Sequence, residues 1–172
     1  MAKQAKGTPR PPAQICFHLS FSTLSPGAII PPGNWGRLIR AAGWTHIEAV
    51  REMALEDARL SRFPHRPSRL ESAFVFLTER EAHNFRTMNS AFRHHILYRV
   101  SLAKPPADSH VTDSRFSHPY GTLRHNWADA YWLDISLQRA AIPGVDWNHN
   151  TWTIELREML TLSELIVEER FK

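Results

Sequence analysis

Ser68-Arg69-Leu70-Glu71-Ser72-Ala73-Phe74-Val75-Phe76-Leu77-Thr78-Glu79-Arg80-Glu81-Ala82 reads as a strand that runs straight into a helix. Phe74 and Phe76 share one face by the two-residue period of a strand, with β-branched Val75 between them. Thr78, with Glu81 three residues on, has the form of a capping box, in which each side chain satisfies an orphan N–H at the helix start. Ala82 and Phe85 then begin an apolar stripe at helical spacing. A basic lead-in, an apolar strand and a capped helix make either an ordinary core element or one wall of a ligand cleft. The flanking segments bear on which.

Upstream, Gln14-Ile15-Cys16-Phe17-His18-Leu19-Ser20-Phe21 reads as a first strand. Ser25-Pro26-Gly27 signals a turn, Ala28-Ile29-Ile30 a short extended piece, and Pro31-Pro32-Gly33 a break that Asn34-Trp35-Gly36 continues as loop. From His46 to Leu60 the pattern predicts a helix, with Ile47, Val50, Ala54 and Ala58 on its apolar stripe. Downstream, Ile96–Leu102 alternates as a half-buried strand does. Residues 107–116 read as a long polar loop, and loops of that length in a small domain are more often functional than idle. An aromatic helix is expected around Trp127-Ala128-Asp129-Ala130-Tyr131-Trp132, and strands at 151–156 and 164–169. Trp127 and Trp132 fall about 140° apart around a helix, which suits core packing better than a flat stacking platform. The sum is an α+β domain over residues 14–172, preceded by a flexible, basic, proline-rich tail at 1–13.

Composition sets the outer bounds. The chain has 172 residues, 42% of them apolar or aromatic and 22% charged, enough for one core and a polar surface. No apolar run approaches the roughly 20 residues that span a bilayer. Residues 1–12 lack the apolar segment of a secretory signal. The one cysteine, Cys16, has no internal partner, which fits a reducing cytoplasm and a buried filler in an apolar strand. A net charge of +4 permits phosphate-bearing partners without demanding them. Ten histidines invite a metal, yet Cys-x-x-Cys and His-Glu-x-x-His are absent and His94-His95 are adjacent, so no metal site is expected.

Three places can carry chemistry. His18 is a lone histidine on an apolar strand, either a satisfied structural residue or a donor to a ribose hydroxyl. Phe74 and Phe76 can stack on a flat ring. Asp108, with Asp113 close by, is either a turn-capping carboxylate or one that stabilises an oxocarbenium-like centre. Arg69, ahead of the aromatic strand, is either a solvated arginine or a guanidinium fork for a pyrophosphate.

In this order the segments resemble the ADP-ribosyltransferase superfamily, and most nearly the small rifamycin ADP-ribosyltransferases and related bacterial and phage proteins. Phe17-His18-Leu19-Ser20 with Leu24-Ser25-Pro26-Gly27 is similar to the family's strand histidine and following loop. Phe74-Val75-Phe76-Leu77-Thr78 with Glu81-Ala82 is similar to its aromatic strand and helix. Asp108-Ser109-His110-Val111-Thr112-Asp113-Ser114-Arg115-Phe116 is similar to its aspartate segment. The resemblance covers about residues 15–116 and, more loosely, the last strand pair.

It implies a split antiparallel sheet with NAD, a substrate, in the cleft between the halves. His18, with Leu19 and Ser20 beside it, would contact the nicotinamide-side ribose; an aromatic of the second strand would stack on nicotinamide. Asp108 would act at the reacting ribose, with a late glutamate, Glu155 or Glu158, as the alternative acid. ADP-ribose would pass to an acceptor and nicotinamide would leave. The family's second-strand residue is usually tyrosine, whereas Phe74, Val75 or Phe76 falls there in this chain. Residues 126–150 have no counterpart in the rifamycin enzymes. Pro106 stands where a glutamate would mark arginine modification, so protein, nucleic acid and small molecule all stay open as acceptors. So do toxin, phage factor and detoxifier as roles. The other reading is a basic nucleic-acid-binding accessory protein, with Arg62, Arg66, Arg69, Arg93 and His94 on phosphates, or a silent relative of the fold.

Overall fold

The computed structural model describes residues 13–43, 45–104, 109–117, 127–133 and 156–171. In chain order the elements are β1 (Ile15–Ser20), β2 (Ile29–Ile30), α1 (Asn34–Ala42), α2 (Ile47–Arg62), β3 (Ala73–Phe76), α3 (Glu79–Met88), β4 (Ile96–Leu102), β5 (Ser109–Asp113), α4 (Trp127–Trp132), β6 (Arg157–Thr161) and β7 (Leu165–Arg170). Among the described residues the strands form one seven-stranded sheet in the order β2-β7-β4-β1-β3-β6-β5. Every neighbouring pair is antiparallel. The class is therefore α+β, as the sequence predicts. No helix among the described residues is long and apolar enough to cross a membrane.

Pairing is uneven across the sheet. β1 is in register with β4 from Ile15–Ser101 to Ser20–Ile96. Against β3 it holds a single pair, Phe17 opposite Phe76. β3 in turn lies fully against β6, from Ala73–Thr161 to Phe76–Glu158. The sheet thus parts at its centre into a four-stranded and a three-stranded block.

Both faces are covered. On one face Cys16, Val75, Val100, Met159 and Val167 form a common core. On the other, Leu55 and Ala58 of α2 and Trp132 of α4 pack on Leu160, with Phe74 against them. Beside that group, Leu19, Phe76 and Leu97 pack on Ala82 of α3. Phe74 and Phe76 share a face and Val75 fills the opposite one, as the two-residue period requires. The capping box at α3 is complete: Thr78 Oγ1 accepts from Glu81 N at 3.2 Å, and Glu81 Oε2 accepts from Thr78 N at 3.0 Å.

Four expectations need correction. Residues 34–36 are the first turn of α1 and not loop. α1 lacks a side-chain cap and an acidic first turn, so its signal is weak; Gly33 caps it at φ 81°, and its amide donates to Ser72 O at 3.1 Å. What holds α1 is packing, because a Cβ on Gly36 would lie 2.0 Å from the Leu70 carbonyl oxygen. Second, α2 is where the periodicity puts it, but its buried face is Ala49, Glu52, Leu55 and Ala58, while Ile47 and Val50 are exposed. Third, 109–113 is strand β5 and 114–117 a 3-10 turn, not loop. Buried His110 and Thr112 both meet the Tyr131 carbonyl, at 3.0 and 2.6 Å, so polar side chains there face inward. Fourth, the penultimate strand is Arg157–Thr161; of the expected 151–156, residues 151–155 lie outside the described residues.

Candidate active site

The parting of β1 from β3 opens a cleft of about 1380 Å³, larger than the roughly 300–1,000 Å³ common for small-molecule sites. His18, Phe74, Phe76, Arg69, Glu158 and Arg115 all line it. Beyond the Phe17–Phe76 pair the strands no longer bond to one another, and the His18 ring bridges the gap, with Nδ1 2.8 Å from the Phe74 carbonyl oxygen. A carbonyl only accepts, so Nδ1 carries the proton and Nε2 keeps its lone pair. Burial pushes the His18 pKa below its usual 6.5; the bond to Phe74 opposes this and His95 adds to it. At neutral pH the ring is uncharged. His18 is thus an acceptor at Nε2, not the donor expected.

The opposite wall is charged. Arg69, in the turn before β3, is buried. Its Nε and Nη2 donate to the two oxygens of Glu52 at 2.9 and 3.1 Å. Its Nη1 donates to Glu158 Oε1 at 2.9 Å and also meets the Tyr131 hydroxyl. That hydroxyl donates to Glu158 Oε1 at 2.7 Å. The guanidinium carbon lies 4.8 Å from the centre of the Phe74 ring and 4.7 Å from that of Tyr131, within cation–π range. Burial alone would raise the Glu52 pKa, but the charge and hydrogen bonds of Arg69, with Arg51, hold it below the usual value. Burial likewise works against the Arg69 charge, and Glu52, Tyr131 and Glu158 outweigh it and raise its pKa. Glu52 is paired with Arg51 as well, at 3.2 Å, so two carboxylates and two arginines meet at this wall.

Arg69 is therefore neither solvated nor free for a pyrophosphate. Arg37 on α1 is an exposed cation at the cleft, and its bonds go to the neutral Asn34 side chain and the Pro32 carbonyl. Asp113 is buried and bound to Arg115, with Nε to Oδ1 at 2.8 Å and the Arg115 amide to the same oxygen at 3.0 Å. Leu19 is buried against Phe76, and Ser20 Oγ accepts from Ser22 N at 3.1 Å. Asp108 and Glu155 lie outside the described residues. Among the proposed phosphate contacts, Arg62 pairs with Asp129 at Oδ1, 2.7 Å from Nε, and Arg69 is buried. Arg93 and His94 are exposed. Among the described residues, no group of three or more His, Cys, Asp or Glu could hold a metal.

Two parts of this site were missed in the sequence. Glu52 sits in the stripe Ala49-Glu52-Leu55-Ala58, where a charge at every-third-residue spacing was the available signal. Tyr131 stands out in the sequence only as part of an aromatic helix, and its hydroxyl reaches Glu158 from α4. No family model matches the chain, and no curated protein matches it either. Geometry alone must carry the function.

Proposed function

We propose that the protein is an NAD-dependent ADP-ribosyltransferase whose cofactor-substrate lies in the cleft where β1 leaves β3. The observation that carries this is the convergence of His18, the Phe74–Phe76 face and Glu158 on one opening in an antiparallel sheet. A split sheet of ADP-ribosyltransferase type, with its strand histidine, aromatic strand and late glutamate, accounts for that convergence.

In this reading nicotinamide stacks on the phenylalanine face, and a ribose hydroxyl donates to His18 Nε2. The pyrophosphate goes to Arg37, whose partners are neutral, and not to Arg69. Glu158 is the acid in place of Asp108. The bond between C1′ and the nicotinamide nitrogen breaks, and its electron pair neutralises the pyridinium. The Glu158 carboxylate stabilises the positive charge that develops on the ribose. The acceptor closes the new bond at C1′ and gives up its proton. Arg69 and Tyr131 hold the Glu158 carboxylate in place before the reaction begins, so little reorganisation is needed as charge appears.

Nicotinamide release from labelled NAD tests the reading. The expected result is a loss of about a hundredfold or more in Glu158→Gln, the scale of losing a preorganised electrostatic group, with NAD binding retained by calorimetry. Asp108→Ala and Glu155→Gln should keep most of the activity. Loss confined to Asp108→Ala would move the acid to that residue, and failure of the unmodified protein to bind NAD would end the proposal.

A further inference from the structure

On the β1–β4 side of the cleft, β1 and β4 run past their last registered pair, Ser20–Ile96. The next two residues, Phe21 and His95, meet with ring centres 5.7 Å apart at 67°. His95 lies over Phe92 at 4.6 Å and 36°, and Phe92 meets Phe85 at 5.0 Å. Phe21 is 79% exposed, the most open of the large apolar side chains among the described residues. Nδ1 of His95 is buried without a hydrogen-bond partner among the described residues, a state that costs free energy unless something satisfies it.

Arginines dominate the charge around this corner, with Glu79 of α3 3.4 Å from His83. From Ala82 to Ala103 the chain has no Asp or Glu, while His83, Arg86, Arg93 and His94 flank the aromatic group. Arg86 Nη1 donates to the His95 carbonyl at 3.4 Å, so its charge stands beside the ring. The acids of β7 nearest in the sheet are engaged: Glu169 by Arg99 at 2.9 Å, and Glu168 by the Ser101 hydroxyl.

We propose that Phe21, His95 and Phe92 form a subsite for one base of a single-stranded nucleic acid, with Arg93 and its neighbours on the flanking phosphates. An exposed aromatic alone would suit an apolar peptide; an aromatic step inside a rim of cations matches a flat base carried on an anionic backbone. His18 and His95 line the same cleft, so the bound base is the acceptor presented to the ribose. Only this last clause rests on the proposed transferase activity; the binding does not.

Anisotropy of labelled twelve-nucleotide DNA and RNA strands, with the full chain, tests it. Single strands should bind more tightly than a duplex of equal length. Phe21→Ala should weaken binding about 5- to 150-fold, the loss of one base–aromatic stack. Arg93→Ala should weaken all sequences alike and lower the salt slope by about one. Preference for DNA or for RNA identifies the source of the strand. Binding that ignores Phe21→Ala, or a duplex that binds as well as the single strand, overturns the subsite, as does capture of apolar peptides in place of strands. Nicotinamide release is read in parallel. Strand binding without any release from NAD keeps the subsite and ends the transferase reading, whereas release without strand binding does the reverse.

Discussion

The two sides of the cleft are built on opposite principles. At one, Arg69, Glu52, Glu158 and Tyr131 are buried and bonded to one another, so their positions are dictated by charge. At the other, Phe21 meets His95 and Phe92 meets Phe85 edge to face, His95 lies tilted over Phe92, and Phe21 remains open to solvent. Buried ion pairs are fixed at high desolvation cost and tolerate no missing partner. Aromatic contacts are individually weak and accept rearrangement. A cleft with one charged, bonded side and one apolar, open side is what the proposed transfer, with its constant donor and separately recognised acceptor, would use.

That contrast can be broken most severely at Arg69. Arg69→Met removes the guanidinium that bridges Glu52 and Glu158, leaving Glu52 only Arg51 and Glu158 no cation, and should cost about 3–5 kcal/mol, read as a drop in the urea midpoint. Adding Glu52→Gln and Glu158→Gln should return much of it. A single variant costing under about 1 kcal/mol would mean that the charged side is not the clamp described here.

A smaller effect is expected from Gly36→Ala, which reaches the same side from behind. The new methyl would collide with the Leu70 carbonyl and push α1 off the turn that carries Arg69, a cost of about 1–3 kcal/mol for overpacking. Unchanged stability would show that α1 yields freely.

The mildest test is acid. His18 and His95 both have pKa values pushed below 6.5 by burial. Between those values and 6.5 the unfolded chain binds more protons, so stability is full above 6.5 and falls as pH drops through the folded values. Glu52 has its pKa held below 4.5 by Arg69, against the effect of burial; its contribution is full above 4.5 and is lost only in more acidic solution. Urea midpoints between pH 7 and pH 5 should therefore decline in the unmodified protein and decline less in His18→Asn. Equal slopes would remove His18 from the account.

Local signals were the legible ones. The β3 strand and the α3 capping box were readable because their partners are at most a few residues apart, and the α4 helix because Trp127, Tyr131 and Trp132 fall within six residues. The buried face of α2 was not, since what turns Glu52 inward is Arg69, 17 residues away, which also reaches Glu158, 89 residues on. Periodicity scores Ile47 and Val50 as core and has no means of knowing that a guanidinium waits for Glu52. β5 was hidden for a related reason: His110 and Thr112 look like loop residues until the Tyr131 carbonyl appears opposite them. Of the candidate site, His18 and the phenylalanine face were legible from strand pattern, while the role of Arg69 depended wholly on distant carboxylates.

The lone Phe17–Phe76 pair marks the seam with the fewest registered pairs in the described sheet. Separating β1 from β4 would break a ladder along the whole of β1, whereas widening the seam against β3 disturbs one registered pair and the His18–Phe74 bond. Apolar packing of Leu19 with Phe76 and of Cys16 with Val75 also crosses that seam, and the histidine is its polar latch. A ligand that draws on His18 Nε2 leaves the Nδ1 bond in place, so it can be gripped without the latch being released.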